Sequence, residues 1–223
     1  MAKTGQPSLA DLIGYDGFDS KIGRITEAEW RKYVSQTIAK LRISKNDKIL
    51  EIGCGAGAFL LPLYEQGYNV AGLDYSQSLL DAAKKVLVGA NLVCGQANNL
   101  PFKNGEFDVV ISNSIFHYLP SIDYAAKVLN EMFRVLNQSG RAAVLDINDQ
   151  AKQDFAEDLR RKEIGNKEYE EKYKGLGQLY YPKSFFENFA EEHDIKFVIE
   201  PQVIDGYQNS LWRYNFYFYK SSL

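Results

Sequence analysis

The sequence predicts an α/β domain with a seven-stranded, mostly parallel sheet, helices on both faces and a C-terminal antiparallel hairpin. Two patterns predict this fold. Short apolar strand segments alternate with helical segments along residues 48–147, as in parallel βαβ units. After residue 195, two strand segments follow each other with no helix between them, which is typical of an antiparallel pair.

The first five strand segments are short and apolar. They are predicted at Lys48–Ile52, Asn69–Leu73, Asn91–Cys94, Phe107–Ser112 and Arg141–Ile147. The fourth is apolar almost throughout, which indicates burial on both faces of the sheet. Helices are predicted between the strands at residues 58–66, 76–88 and 122–136, with Gly67 ending the first and Ser76 capping the second.

Segments on either side of this core complete the chain. Residues 27–41 carry apolar side chains at helical spacing, whereas residues 1–25 are polar and glycine-rich and should be ordered only by docking on the rest. Beyond the fifth strand, residues 149–173 are charged with a helical period. A helix at 184–193 and strands at 196–204 and 213–220 are predicted to follow.

We expect one domain over residues 1–223, divided into an N-terminal cap (1–40), a ligand-binding core (41–148), a lid with its helix (149–193) and a closing hairpin (194–223). Aromatic residues are concentrated in the lid. They are Tyr169, Tyr173, Tyr180, Tyr181, Phe185 and Phe186. Such side chains can cover a substrate and exclude water, or they can simply pack an added helix.

Composition excludes several classes of function. The net charge is -3 and the sequence pI about 5.5, so no overall positive field favours nucleic acid or an anionic membrane. No apolar run approaches the roughly 20 residues of a membrane span. The first eight residues lack the apolar region of a signal peptide. Cys54 and Cys94 lack metal-site spacing, so we expect no metal and a reducing, cytoplasmic location.

The turn after the first strand carries glycine at alternate positions, because Glu51–Gly57 has the sequence EIGCGAG. Glycine lets the backbone turn tightly and approach a ligand, and the following helix presents free N–H groups. Asp74 ends the second strand, where its carboxylate can accept hydrogen bonds from two ribose hydroxyls. These residues predict a nucleoside site at the C-terminal edge of the sheet.

The glycine pattern alone leaves the ligand open. Gly53, Gly55 and Ala58 also satisfy a loose dinucleotide motif, so an NAD-dependent oxidoreductase is an alternative. Glu51 favours a cationic ligand instead, since its carboxylate would repel a pyrophosphate. The closing antiparallel hairpin also counts against a nicotinamide dinucleotide.

Taken as a set, the motifs resemble those of the class I S-adenosylmethionine-dependent methyltransferases, in the branch that acts on small molecules. The resemblance extends from about residue 35 to residue 150. Its segments are 49–57 (ILEIGCGAG), 73–76 (LDYS), 97–102 (ANNLPF), 107–110 (FDVV) and 135–140 (VLNQSG). It implies a Rossmann-like fold, S-adenosylmethionine as cofactor and S-adenosylhomocysteine as product.

The resemblance also implies a cofactor-binding set. Its members are Glu51, Gly53, Cys54, Gly55, Gly57, Asp74, Tyr75, Gln96, Ala97, Asn98 and Asn113. The loop would pack under the methionine part, Glu51 would support the ammonium group, Asp74 would hold the ribose and Tyr75 would lie against the adenine. Gln96 stands where the family usually has an acid, and its carbonyl can still accept from the adenine amino group.

Methyl transfer to a hydroxyl or an ammonium group is helped by a base. His117, four residues beyond Asn113, is the candidate, although it could equally pack under the lid. Tyr118 is interpreted as structural, and so is Asp108, which begins its strand at the opposite edge of the sheet. The predicted function is methyl transfer to a small molecule by a monomer or homodimer, at oxygen or nitrogen, with transfer to carbon as an alternative that would also need a base. A non-catalytic adenosyl-ligand-binding protein is a further alternative.

Overall fold

Residues 5–18, 24–173 and 177–220 are described by the computed structural model, except for the side chains at positions 172 and 173. Within these residues seven strands form one sheet in the order β3-β2-β1-β4-β5-β7-β6. They are β1 Lys48–Ile52, β2 Asn69–Asp74, β3 Asn91–Cys94, β4 Phe107–Asn113, β5 Leu136–Asn148, β6 Lys196–Pro201 and β7 Arg213–Tyr219. Strands β1 to β5 pair in parallel, and β7 is antiparallel to both β5 and β6. The predicted fold class is confirmed.

Eight α-helices lie in the described part of the chain. They are α1 Leu9–Tyr15, α2 Glu27–Lys40, α3 Leu60–Glu65, α4 Gln77–Ala83, α5 Ile122–Val135, α6 Gln153–Ile164, α7 Asn166–Tyr173 and α8 Lys183–Glu192. Residues of α1 to α4 pack on one face of the sheet, and residues of α5 and α8 pack on the other. Strand β4 contributes Val109 and Ile111 to the first core and Val110 to the second. This alternation confirms that β4 is buried on both faces.

Two elements differ from the predicted bounds in ways that affect the site. Helix α1 was not predicted as a helix; Leu12 and Ile13 are buried, so the segment is ordered by docking on the first core. Strand β5 extends to Asn148 with an irregularity after Val144, where Asp146 has a φ of 64°. This bulge changes the direction of the strand at the end of β5, beside the site.

The lid segment is fastened to the core near its C-terminal end. The Tyr181 N–H donates to the Asn148 carbonyl at 2.9 Å, and the Tyr181 hydroxyl donates to the Phe116 carbonyl at 2.7 Å. Tyr169, Tyr180, Tyr181 and Phe186 are buried, and Phe185 is half-buried. The side chain of Tyr173 lies outside the described residues. None of the described helices is long and apolar enough to span a membrane.

Candidate functional site

Two adjoining cavities open at the C-terminal ends of β1, β2 and β4. The β3-side cavity has a volume of about 300 Å³ and extends past Gln96 and Ala97 to Tyr124. The glycine-loop cavity has a volume of about 340 Å³ and extends over the turn after β1 to α1 and α2. Shared lining residues join the cavities. They are Gly53, Asp74, Tyr75, Ile115 and Tyr118.

The turn after β1 needs glycine for two separate reasons. Gly53, Gly55 and Gly57 have φ values of 75°, 51° and 87°, which side chains disfavour. A Cβ at Gly53 would also lie 2.4 Å from a methyl group of Ile115. Gly53 and Gly55 line the glycine-loop cavity, whereas Gly57 packs against Leu87 and does not line either cavity. Gly57 therefore supports the turn from behind.

Asp74 is held rigidly where both cavities meet. Its Oδ2 accepts the Gly55 N–H at 2.9 Å, and its Oδ1 accepts the Ser76 N–H at 2.8 Å. Each carboxylate oxygen can accept a further hydrogen bond. The carboxylate is therefore pre-positioned for ligand hydroxyl groups, as a ribose would offer.

Glu51 contributes a buried carboxyl whose Oε2 has no hydrogen-bond partner. Burial raises its pKa well above the usual range, and the negative charges of Asp16 and Asp74 raise it further. An unpartnered carboxyl of this kind destabilises the folded protein. Because Glu51 lines the glycine-loop cavity, a cationic or hydrogen-bond-donating ligand group would relieve that cost.

Asp16, at the end of α1, is a site residue that the sequence analysis did not identify. Its carboxylate accepts the N–H groups of Ala56 at 2.7 Å and Ala58 at 3.2 Å. Burial raises its pKa to about 7, against the lowering effect of these two bonds and with the charge of Asp74 adding to the rise. The capping pair Ser8 and Asp11 could have revealed α1. No local pattern reveals a contact 40 residues away.

Three of the residues predicted to lie near an adenine ring line the β3-side cavity. Tyr75, Gln96 and Ala97 line it, and Tyr75 is 79% exposed. The Gln96 carbonyl already accepts the Tyr124 hydroxyl at 3.0 Å and keeps one lone pair for a ligand. Asn98, in contrast, does not line either cavity. Its prediction as a binding residue gains no support from this placement.

Asn113 and Cys54 form part of the wall of the glycine-loop cavity. The Asn113 Oδ1 accepts the Tyr33 hydroxyl at 2.9 Å, which fixes the amide at the end of β4. Burial raises the pKa of the Cys54 thiol well above its usual range, so the thiol stays protonated. Among the described residues, no group of three His, Cys, Asp or Glu side chains is placed to hold a metal ion.

His117, the candidate base, is buried away from the cavities, whereas its neighbour Tyr118 faces them. The His117 ring is 1% exposed, has no partner on either nitrogen and does not line either cavity. Burial, with Arg213 and Arg160 nearby, holds its pKa well below the usual range. Tyr118 is 65% exposed and lines both cavities, so it is placed where a ligand could contact it. Their neighbouring positions in one short 3-10 turn, Phe116–Tyr118, give them opposite faces.

Asp108 lies at the opposite edge of the sheet, as predicted. It accepts the Lys48 N–H at 2.8 Å and the Asn137 side-chain amide at 2.6 Å. These contacts join the start of β1 to the start of β5, far from the ligand edge. Asp108 is therefore structural.

A second buried acid, Asp146, lies at the site edge with a full set of partners on its Oδ2. That oxygen accepts the Ser114 hydroxyl at 2.7 Å and the Tyr207 hydroxyl at 3.0 Å, and it pairs with the Arg213 guanidinium. Ser114 lines the glycine-loop cavity. This network, which the sequence analysis missed, fixes one wall of the site.

Part of the chain is similar to known methyltransferases. Residues 50–144 match the family model described as "Methyltransferase domain". A demethylmenaquinone methyltransferase of Lactobacillus johnsonii is 33% identical over 141 residues, which are 59% of this chain and 55% of that protein. An uncharacterized methyltransferase of Synechocystis is 30% identical over 129 residues, 58% of this chain and 60% of that protein. The chain thus spans little more than half the length of these curated relatives.

Solved structures agree on the fold. A Pyrococcus horikoshii protein superposes with a TM-score of 0.64 at 22% identity, covering 94% of this chain and 96% of that one. An S-adenosylmethionine-dependent methyltransferase from Clostridium acetobutylicum gives a TM-score of 0.64 at 13% identity, covering 89% and 94%. The fold is therefore the Rossmann-like fold of this class. Together with the family match, it makes the chain similar to S-adenosylmethionine-dependent methyltransferases over residues 50–144.

Proposed function

We propose that the protein transfers a methyl group from S-adenosylmethionine to a small-molecule acceptor, at an oxygen or nitrogen atom. The observation that carries the proposal is the pair of joined cavities, with Asp74 where they meet and the unpartnered Glu51 carboxyl in one of them. The polar nucleoside end of S-adenosylmethionine fits Asp74, and its positively charged end fits the Glu51 carboxyl. A dinucleotide would bring its pyrophosphate toward three carboxyl groups, which disfavours the oxidoreductase alternative.

The residues of the chain would bind and orient the two reactants. Asp74 would accept the ribose hydroxyls, Ala97 and Gln96 would contact the adenine, and Glu51 would hold the ammonium group. When bound, S-adenosylmethionine supplies an electrophilic methyl group on a sulfonium. The main contribution of the protein is then alignment of the acceptor with that methyl group.

The acceptor would lie in the part of the glycine-loop cavity that Ser114, Tyr118 and Tyr15 line. The relative from Lactobacillus johnsonii carries the name of a methyltransferase acting on a quinone-type small molecule, which supports a small organic acceptor here. Tyr15 and Phe18 of the cap line that cavity and would contact the acceptor, whereas no described residue of the lid (149–193) lines either cavity. We propose that the chain acts as a monomer or homodimer. The role of His117 as a base stays a prediction.

The test is product formation with a deuterated methyl donor and a panel of hydroxyaromatic, enolic and amine acceptors, followed by mass spectrometry. A labelled product that depends on Asp74 supports the proposal, and Asp74→Ala should abolish it. Asp81→Asn, which removes an exposed carboxylate on α4, is the matched control and should retain activity. Saturable cofactor binding with no product from any acceptor class would favour the non-catalytic alternative.

A further inference from the structure

We infer that Asp16 is a further cofactor-binding residue, which completes an acidic wall that binds positively charged S-adenosylmethionine in preference to its neutral product. The inference rests on the proposed function and states which charge state of the ligand the site selects. It also links the N-terminal helix α1 to occupation of the site.

Three carboxyl groups converge on the glycine-loop cavity from three different elements. Asp16 follows α1, Glu51 lies in β1 and Asp74 ends β2, and all three line the cavity. The described residues that line it include no Lys, Arg or His. The other titratable lining groups are the Cys54 thiol and tyrosine hydroxyls, which carry no positive charge. A negative charge on any of these carboxyl groups is therefore not balanced by a cation in the described lining of the cavity.

The chain itself fills the anion-binding positions of the glycine turn. Asp16 takes the N–H groups of Ala56 and Ala58, and a Cβ at Gly55 would lie 2.2 Å from its Oδ1. A ligand carboxylate would have to displace Asp16 to reach these donors. The Oε2 of Glu51, in contrast, is buried with no partner. The cavity is therefore arranged to receive positive charge rather than negative charge.

Methyl transfer changes the ligand charge by one unit. S-adenosylmethionine carries a sulfonium, an ammonium and a carboxylate, for a net charge of about +1 near neutral pH. During transfer the S–CH3 bond breaks and sulfur keeps the electron pair, while the acceptor atom forms a bond to the methyl group and releases its proton to solvent. The product is a neutral thioether with no net charge. An unbalanced acidic wall attracts the reactant and loses that attraction after transfer, which favours product release.

Calorimetric titration of both ligands at neutral pH tests the assignment in wild type, Asp16→Asn and the surface control Asp81→Asn. We expect Asp16→Asn to lower affinity for S-adenosylmethionine about tenfold and to change affinity for S-adenosylhomocysteine by less than about twofold. Asp81→Asn should leave both unchanged. Equal losses for both ligands would mean that Asp16 only docks α1. Tighter binding of both would mean that Asp16 competes with the ligand for the turn.

The pH dependence gives a second readout in the unmodified protein, which is valid even if the variant folds poorly. Since the pKa of Asp16 is about 7, its negative charge grows as the pH rises from acid to neutral. Affinity for S-adenosylmethionine should therefore rise between about pH 5.5 and about pH 7, below the roughly 7.7 to 8.0 at which an α-ammonium group loses its proton. Glu51 adds to this slope, so Asp16→Asn should flatten it in part.

A preference between the two ligands that does not vary with pH would overturn the inference. If the wild type bound neither ligand at any pH, the proposed function itself would fail instead. The two failures are therefore distinguishable in one set of titrations.

Discussion

The two halves of the site edge differ in whether a cation of the protein faces their carboxyl groups. In the half around β5 and β7, Asp146 pairs with Arg213 and accepts two hydroxyl groups on its Oδ2, while its buried Oδ1 has no hydrogen-bond partner. In the half around β1, Asp16 and Glu51 face a cavity whose described lining has no cation, and one oxygen of Glu51 has no partner. The first arrangement gives the buried acid a cation from the protein itself, whereas the second leaves binding capacity for a cationic ligand.

The comparison distinguishes carboxyl groups that have a cationic partner within the protein from carboxyl groups that would bind a ligand, at one edge of the sheet. A buried charge whose partner belongs to the protein destabilises strongly when that partner is removed. A buried acid without a partner already destabilises the ligand-free protein, so its replacement should weaken binding more than folding. Substitutions in the two halves should therefore have opposite effects on stability and on affinity.

The largest expected effect belongs to the paired half. Arg213→Ala should lower the free energy of unfolding by about 3 to 5 kcal/mol, because Asp146 would stay buried without its cation. Denaturant unfolding followed by circular dichroism measures this loss. Lys32→Ala, which breaks the exposed pair with Asp205, is the control and should cost less than about 1 kcal/mol. Similar losses for both variants would contradict the contrast.

Gly55→Ala probes the packing of Asp16 on the glycine turn. The substitution should lower the free energy of unfolding by about 1 to 3 kcal/mol, through its φ of 51° and the collision with Asp16. Gly67→Ala is the matched control, since its φ is 80° and no atom lies within 4 Å of its added Cβ. The cost at Gly55 beyond that at Gly67 measures the contact. Equal costs would show that Asp16 does not rest on the turn.

Glu51→Gln should separate stability from binding in the unpaired half. Without ligand, the variant should be more stable than the wild type by about 1 kcal/mol, since it removes a buried carboxyl with a raised pKa. Affinity for S-adenosylmethionine should fall about tenfold at the same time. Thermal unfolding and calorimetry on one preparation give both values. A variant that is less stable and binds normally would refute the role assigned to Glu51.

The smallest effect is a slope of stability with pH in the ligand-free protein. Asp16 and Glu51 have pKa values above those of an unfolded chain, so the folded state holds more protons above about pH 4. Stability should therefore be highest in mild acid and fall by about 1 kcal/mol for each pH unit as the pH approaches 7. Asp16→Asn should reduce this fall. Denaturant midpoints measured at several pH values test it, and rising stability over the same range would be the contrary result.

The sequence was sufficient to predict the features that depend on local pattern. The alternation of strands and helices, the burial of β4 on both faces and the positions of Gly53, Gly55 and Asp74 follow from periodicity and turn chemistry. The positions of β1 and β3 agree with the structure residue by residue. These features are local, so neighbouring residues determine them.

Features that depend on distant contacts were not predictable. Asp16 reaches the glycine turn only because a short helix in a polar segment docks on the first core. Asp146 meets Arg213 through a bulge in β5 and the antiparallel return of β7. The burial of His117 and the exposure of Tyr118 depend on a single 3-10 turn, in which neighbouring side chains point in different directions.

The most direct test of the central claim is calorimetric titration with S-adenosylmethionine and S-adenosylhomocysteine, with NAD as the control ligand and Asp74→Ala as the control variant. The account predicts saturable binding of both adenosyl ligands, tighter for the cationic one, no binding of NAD, and loss of binding in Asp74→Ala. Saturable binding of NAD alone would contradict the account, and the glycine turn would then be a dinucleotide site.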